Sequence, residues 1–497
     1  MLLFSVFILS LCGITYELVL GSLATYLLGN PVLQYSVTIG VFLSSMGLGS
    51  FISRFFTKDL LRTFVRVEVA LGFIGGISVL VLSAFFSFSA SFYLLHVFFL
   101  VIIGAMVGLE IPLLTRILKR TGTLKDILAS VLSLDYLGGL AGSLLFPLIL
   151  FPIVGRLLTS ILIGIANISV AILVIVMVKY PGRRRIDIMA AAAAAAVLIL
   201  AAANSQQINS IFQKRLYYDD IIYTKRSRYQ EIVLTRNDAD FRLYLSGSLQ
   251  FSSVDEYRYH DMLVYPPLLL CPRVPARVLV MGGGDGLAVR DILKVEGVES
   301  VTLVELDKAV IDLATTSPSL LRINGNSLSE RRVRVIVDDA YNFLIAGGKK
   351  FDCIIADFPD PHDETTAKLY TVEFFSLVRR ALSDGGVFVT QSTSPFFAPE
   401  AFWCVHETMK RVFPEVIPYH VYVPTFGDWG FNMASMKTVD VAKMKKGPRG
   451  MRFFSPDTFH ASLIFSEDVK QKGLTVNTFN RPVLYNYYLK GWRISVD

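Results

Sequence analysis

Up to about residue 205 the chain is written in long apolar runs, and beyond that point in short runs that alternate with polar residues. Seven runs have the roughly 20 residues that a helix needs to cross about 30 Å of hydrocarbon: 3–28, 33–53, 67–88, 92–114, 128–153, 157–178 and 186–203. Six similar runs follow the first, so it reads as a span and not as a cleaved leader. The seventh, beginning Met189-Ala190 and continuing in alanine, is the least apolar. From 227 to 253 the period falls to two. Glu231–Thr235 and Phe241–Leu245 alternate, with turn residues at Asn237-Asp238 and Gly247, which predicts a small antiparallel sheet. Strand patterns near 277–281, 300–305, 332–337, 351–356 and 386–391 then alternate with helical ones, as in a parallel doubly wound sheet. The expected organisation is a multi-pass α-helical membrane domain (1–205), a small antiparallel β domain (206–275) and an α/β Rossmann-like domain (276–497).

Charge divides at the same place. Residues 1–205 hold 13 Lys/Arg against 7 Asp/Glu, which leaves 35 against 34 for the rest of the chain. The pI near 9.0 is therefore a property of the membrane flanks. Without a basic face, the carboxyl-terminal half is not expected to bind nucleic acid. Basic residues follow the second run (Arg54, Lys58, Arg62, Arg66), the fourth (Arg116, Lys119, Arg120, Lys125) and the sixth (Lys179, Arg183, Arg184, Arg185). The positive-inside rule places those three connections in the cytoplasm. With seven spans the amino terminus is then inside and the carboxyl-terminal half outside. The lipid bilayer is the expected partner and the cell membrane the expected location.

Three acids, Glu17, Glu110 and Asp135, lie inside apolar runs, while Glu68 stands near a predicted span end, within reach of water. An acid within a bilayer is costly, and it suggests a polar path, a bound cation or a helix–helix hydrogen bond. Gly138, Gly139 and Gly142 beside Asp135 give the spacing of close helix packing, and Pro112 breaks the helix after Glu110. Cys12, Cys271, Cys353 and Cys404 show neither CxxC nor metal-ligand spacing, so buried free thiols are expected, with no disulfide framework and no metal.

The densest chemistry is Ile355-Ala356-Asp357-Phe358-Pro359-Asp360-Pro361. The prolines forbid continuation of the strand, so Asp357 and Asp360 fall in the loop at its carboxyl end, where open α/β sheets bind ligands. Paired acids there can hold an amine cation and take a proton from it. Upstream, Arg277–Met281 runs into Gly282-Gly283-Gly284-Asp285-Gly286, a strand-to-helix turn that a nucleotide can approach closely. Glu305 ends the next strand, where a carboxylate can accept from both ribose hydroxyls, and Asp339 ends the third, within reach of an adenine edge. A dinucleotide site shares these features, but Asp285 would stand where its pyrophosphate must lie. An adenosine without phosphates fits better.

These segments resemble the spermidine synthase (polyamine aminopropyltransferase) family, whose α/β domain is of the methyltransferase type. The resemblance runs over about 215–465, through Ser227–Gln230, Asp255–His260, the GGGDG loop, Val304–Asp307, Asp338–Ala340 and Asp357-x-x-Asp360-Pro361. The apolar half resembles the multi-pass segment fused to some bacterial and archaeal relatives. The resemblance implies that Gln230, Asp285, Glu305, Asp339 and Ala340 bind decarboxylated S-adenosylmethionine, a co-substrate, with no further cofactor. It implies that Asp357 is the catalytic acid–base with Tyr259 at its side, and that His260, Asp285, Asp357 and Asp360 bind the polyamine, putrescine by default. Phe358-Pro359 replaces two small hydroxyl residues, His362-Asp363-Glu364 a proline-containing stretch, and Phe426 a tyrosine that touches the diamine. The implied donor is made in the cytosol, which conflicts with an outward-facing catalytic half unless the seventh run does not span. An S-adenosylmethionine-dependent methyltransferase, and a polyamine transporter or sensor, are the competing readings. A homo-oligomer is left open.

Overall fold

The computed structural model describes residues 2–86, 92–119, 123–178, 183–217, 219–470 and 472–494; Arg120 and Lys179 lie outside them. The chain divides into two compact units, Met1–Tyr218 and Asp219–Asp497.

The first unit is helical throughout. Its helices are α1 (Leu2–Leu28), α2 (Pro31–Ile52), α3 (Leu60–Phe86), α4 (Phe92–Leu118), α5 (Leu124–Leu145), α6 (Phe151–Met177), α7 (Arg184–Ala203) and α8 (Ser205–Tyr217). Among the described residues six helical stretches are long and apolar enough to cross a membrane, and the fifth is the 54-residue run Leu124–Met177. At 1.5 Å per residue that run is about 80 Å long, well beyond one bilayer core. It is two helices. Gly155 interrupts it with φ 77° and ψ −179°, after a π-helical stretch at Phe146–Leu150. The break falls between the predicted runs 128–153 and 157–178. α5 packs on α1, and α6 packs on α3 and α7.

Close approach is made by glycine. A Cβ on Gly138 would stand 2.2 Å from the Phe7 carbonyl oxygen, and one on Gly142 2.6 Å from that of Leu11. The starts of α3 and α7 are tied by Arg62 and Arg66, 2.9 and 3.1 Å from the buried Asp187. Glu68 departs from expectation. Because α3 begins at Leu60 and not near 67, Glu68 lies inside the helix, 0% exposed, with Asn167 Nδ2 donating to it at 3.2 Å. Glu17 and Glu110 are also buried, whereas Asp135 is half-buried beside α1, its backbone carbonyl accepting from Ser10 Oγ at 2.6 Å.

The second unit opens with an antiparallel sheet, β1 (Asp220–Arg226), β2 (Glu231–Asn237), β3 (Asp240–Leu245) and β4 (Ser248–Ser252), in sequential order. The predicted turns at 237–238 and 247 join its last three strands; β1 was not part of the predicted pattern. Helix α9 (Glu256–Leu270) follows, and then β5 (Arg277–Gly282), α10 (Leu287–Ile292), β6 (Ser300–Glu305), β7 (Val333–Val337), β8 (Phe351–Asp357), β9 (Leu382–Gln391), β10 (Glu415–Val423) and β11 (Gly427–Ser435). These strands form one seven-stranded sheet in the order β10-β11-β9-β8-β5-β6-β7.

β5 to β9 pair in parallel, as the alternating pattern requires, but the sheet as a whole is mixed. β10 and β11 form a hairpin that adds antiparallel to β9. An all-parallel sheet is thereby corrected. Val421, Val423, Phe431 and Met433 of the hairpin enter the core, so burial and not a crossover helix fixes its place. The chain runs from β5 outward to β7, then crosses back to β8 on the other side. The crevice at that reversal, between β5 and β8, is where such sheets bind ligands.

Candidate active site

The residues singled out from the sequence for the donor, the amine and catalysis line one cavity of about 610 Å³: Gln230, Tyr259, His260, Asp285, Glu305, Asp339, Ala340, Asp357 and Asp360. Each strand end delivers its side chain by stopping there. Gly282 pairs with Asp357 across the last register of β5 and β8. Gly282 and Gly283 hold φ of 78° and 66°, and a Cβ on either would stand 2.2 Å from the Asp357 carbonyl oxygen or 2.9 Å from its Oδ2. A Cβ on Gly284 would meet the Glu305 carboxylate at 2.9 Å. The glycines thus let the loop lie against both acids.

Tyr259 donates to Asp357 Oδ1 at 2.6 Å. His260, next on α9, stands 2.9 Å from the Glu256 carboxylate, and Arg290 of α10 binds the same carboxylate at 2.9 Å. Burial alone would lower the His260 pKa. The Glu256 hydrogen bond and charge, with Asp357 and Asp285 beyond, outweigh it and carry it up to about 9. His260 is therefore a cation at neutral pH. Desolvation pushes Asp285 up to about 6, with Asp357 adding to it and His260 opposing. It also pushes Asp360 up to about 6, against hydrogen bonds from Tyr488 and Gln391, and Glu305 up to about 7. Asp357 is raised by burial, and His260 and Tyr259 limit the rise. These acids share a recess with two cations among its described lining, His260 and the Lys368 that pairs with Asp339, too few to neutralise them all. That arrangement suits a ligand bringing positive charge.

Gln230 leaves the β1–β2 turn and donates to Asp307 at 3.1 Å, and Ser227 donates to the same carboxylate at 2.6 Å. Asp339 caps the helix that Ala340 begins, accepting from Tyr341 N at 2.7 Å and from Lys368 at 3.0 Å. Phe426 and Trp429 form an apolar wall, with ring centroids 5.1 Å apart. Asp255 fixes the loop before them by accepting from Thr425 N at 2.8 Å.

Sequence reasoning missed the supports Glu256, Arg290, Asp307, Lys368, Gln391 and Tyr488. Glu256 was legible as the i−4 partner of His260 on one helix. Asp307 was legible too, two residues past Glu305 in the Val304–Asp307 segment, its N–H donating to the Glu305 carboxylate at 2.9 Å; the remaining four reach the site only through tertiary folding.

Fold and cavity together define a Rossmann-like domain with an anionic recess at the switch point of its sheet. Residues 256–446 match the spermine/spermidine synthase domain. Similar proteins include a polyamine aminopropyltransferase of Leptospira interrogans, 40% identical over 495 residues with 99% of each chain covered. Polyamine aminopropyltransferase 2 of Ralstonia nicotianae is 41% identical over 504 residues, covering 99% of this chain and 98% of that one. A crystal structure of spermidine synthase in complex with the transition-state analogue AdoDATO is 28% identical, covers 50% of this chain and 87% of that one, and has a TM-score of 0.47. This chain belongs to the polyamine aminopropyltransferase (spermidine synthase) family, and it is an aminopropyltransferase. The likeness to the curated relatives extends through the apolar helices as well as the α/β domain.

Proposed function

We propose that the protein is a multi-pass enzyme of the cell membrane that transfers the aminopropyl group of decarboxylated S-adenosylmethionine to putrescine, giving spermidine and methylthioadenosine. The observation that carries this reading is the pairing of Tyr259 with Asp357 in a cavity that Asp285, Glu305 and Asp360 also line. Both substrates are cations, and both need counter-charge.

In this reading Glu305 accepts from the ribose hydroxyls, with Gln230, Asp339 and Ala340 around the nucleoside. Asp285 faces the amine groups, with the His260 imidazolium favouring the ionised forms of Asp285 and Asp357 beside them, and Asp360 holds the far ammonium of the acceptor. Asp357 removes a proton from the near ammonium, and Tyr259 orients its carboxylate. The freed amine attacks the propyl carbon beside the sulfonium. As the C–N bond forms the C–S bond breaks, its electron pair stays on sulfur, and methylthioadenosine leaves as a neutral thioether. Phe426 and Trp429 exclude water beside the acceptor's methylenes.

The acceptor is tested by kcat/KM for diamines of increasing length and for spermidine itself. A maximum at putrescine is expected; a higher value for another amine overturns that assignment. Donor affinity should also depend on pH. Asp285 and Glu305 ionise near 6 and 7, above ordinary carboxylates, and only their ionised forms attract the sulfonium donor. Calorimetric affinity should therefore rise from pH 5 to about 7.5 and then level.

A second role is favoured for the helical unit. Glu68 and Glu110 are 0% and 4% exposed, and an Oε1 of each, with Asn167 Oδ1 and Tyr16 OH, has no hydrogen-bond partner. Buried acceptors left unpaired cost about 1–3 kcal/mol each, and an anchor needs none of them. We propose that this unit conducts an amine cation, with Glu17 and Asp135 along the way. Vesicles bearing the full chain should take up labelled putrescine, and Glu68→Gln with Glu110→Gln should abolish uptake while leaving turnover unchanged. No acid-dependent flux would leave the unit as an anchor.

A further inference from the structure

The matched family domain ends at residue 446, yet the chain returns to the cavity through a later segment. The carboxyl-terminal helix Leu484–Ile494 places Tyr488 in the cavity wall, where its hydroxyl donates to Asp360 Oδ2 at 3.1 Å. Gln391 Nε2 donates to the other oxygen at 3.2 Å. The two donors hold the carboxylate from both sides and fix the direction of its remaining lone pairs.

The helix is held firmly enough to do this. Leu484 is fully buried, and the Trp492 ring stacks on Phe397 with centroids 5.0 Å apart. Gly491 lies so close to the turn before residue 399 that a Cβ there would stand 2.6 Å from Ala398 Cα and from the Phe397 carbonyl oxygen. Asn477, in the approach to the helix, donates to the Ala367 and Tyr370 carbonyls at 3.0 and 3.2 Å, and its Oδ1 accepts from Leu484 N at 3.3 Å. The segment is thus bonded to the strand-end region that carries Asp360.

We infer that Tyr488 is a positioning residue for the acceptor, fixing Asp360 as the ionised counter-charge of the amine's far end. This rests on the proposed aminopropyl transfer to a diamine. The titratable groups facing Asp360 include His362 from its own loop, Tyr370 after β8, Tyr259 of α9 and Tyr488. Among these tyrosines, only Tyr488 donates to the Asp360 carboxylate; Tyr259 donates to Asp357 and Tyr370 to the Pro359 carbonyl. Loss of that bond leaves Asp360 easier to protonate and freer to rotate. Neither effect touches the donor.

Tyr488→Phe keeps the ring against Trp492 and removes one oxygen. The amine KM should rise about tenfold near neutral pH, the size of one hydrogen bond to a charged group. Donor affinity and melting temperature should match wild type, and kcat should change far less than KM. The penalty should be larger at pH 6 than at pH 8.5, because a carboxylate that has lost a donor protonates more readily. Tyr488→Leu, which also loses the ring, separates packing from bonding. If packing were the whole role, Phe would restore wild-type KM, and that result overturns the inference. A penalty independent of pH overturns it too. The amine Kd in the presence of methylthioadenosine is measured alongside. If the wild type gave no transfer, a weakened Kd in Tyr488→Phe would still support Tyr488 while rejecting the proposed reaction, and an unchanged Kd would reject both.

Discussion

Asp357→Asn should bind the adenosyl donor as wild type does and turn over at least about 100-fold more slowly, the low end of what a positioned base contributes. Asparagine keeps the shape of the side chain and an oxygen to accept from Tyr259, so the 2.6 Å contact survives in its essentials. What disappears is the group that we propose takes the proton. Amines are ammonium ions at neutral pH, and an ammonium has no lone pair with which to displace the thioether. Burial raises Asp357 and so strengthens it as a base, while His260 and the Tyr259 hydroxyl limit the rise. Single-turnover measurement separates this chemistry from product release. Transfer near the wild-type rate in Asp357→Asn would remove Asp357 from the mechanism.

Discrimination between donors should depend on Asp285. S-adenosylmethionine carries a carboxylate that its decarboxylated form lacks, and the GGGDG loop places Asp285 in the cavity wall, where we propose it meets the amine end of the donor. Two like charges about 4 Å apart at an effective dielectric near 20 repel by roughly 4 kcal/mol, which bounds the preference at about three orders of magnitude. Asp285→Asn keeps the acceptor for Leu287 N, bonded at 2.9 Å, so the loop should hold its turn. Calorimetry should show a strong preference for the decarboxylated donor in wild type and a much smaller one in the variant. Equal affinities in wild type would favour methyl transfer instead.

The α/β half was largely legible because its signals are local. A strand that ends at Pro359, a glycine run after β5 and acids at strand ends can be read in windows of a few residues, and the backbone carries each to the same crevice. β10 and β11 were not legible in that way: their pairing with β9 is decided by Val421, Phe431 and Met433 finding the core. Tyr488 was hidden for the same reason, since 128 residues separate it from Asp360. In the apolar half, period and length located the helices, but the charged first turns of α3 concealed its start and made Glu68 look peripheral. The glycines beside Asp135 seat α5 against α1 and leave Asp135 half-buried beside the contact.

The central claim is that this cavity moves an aminopropyl group, and not a methyl group, onto an amine. The measurement that tests it most directly is mass spectrometry of the products when the purified full-length protein is supplied with putrescine and each adenosyl donor in turn. With decarboxylated S-adenosylmethionine, putrescine should gain one aminopropyl unit with an equal amount of methylthioadenosine released, and S-adenosylmethionine should yield no modified amine. A methylated amine with S-adenosylhomocysteine, or donor consumption without an aminopropylated product, would contradict it.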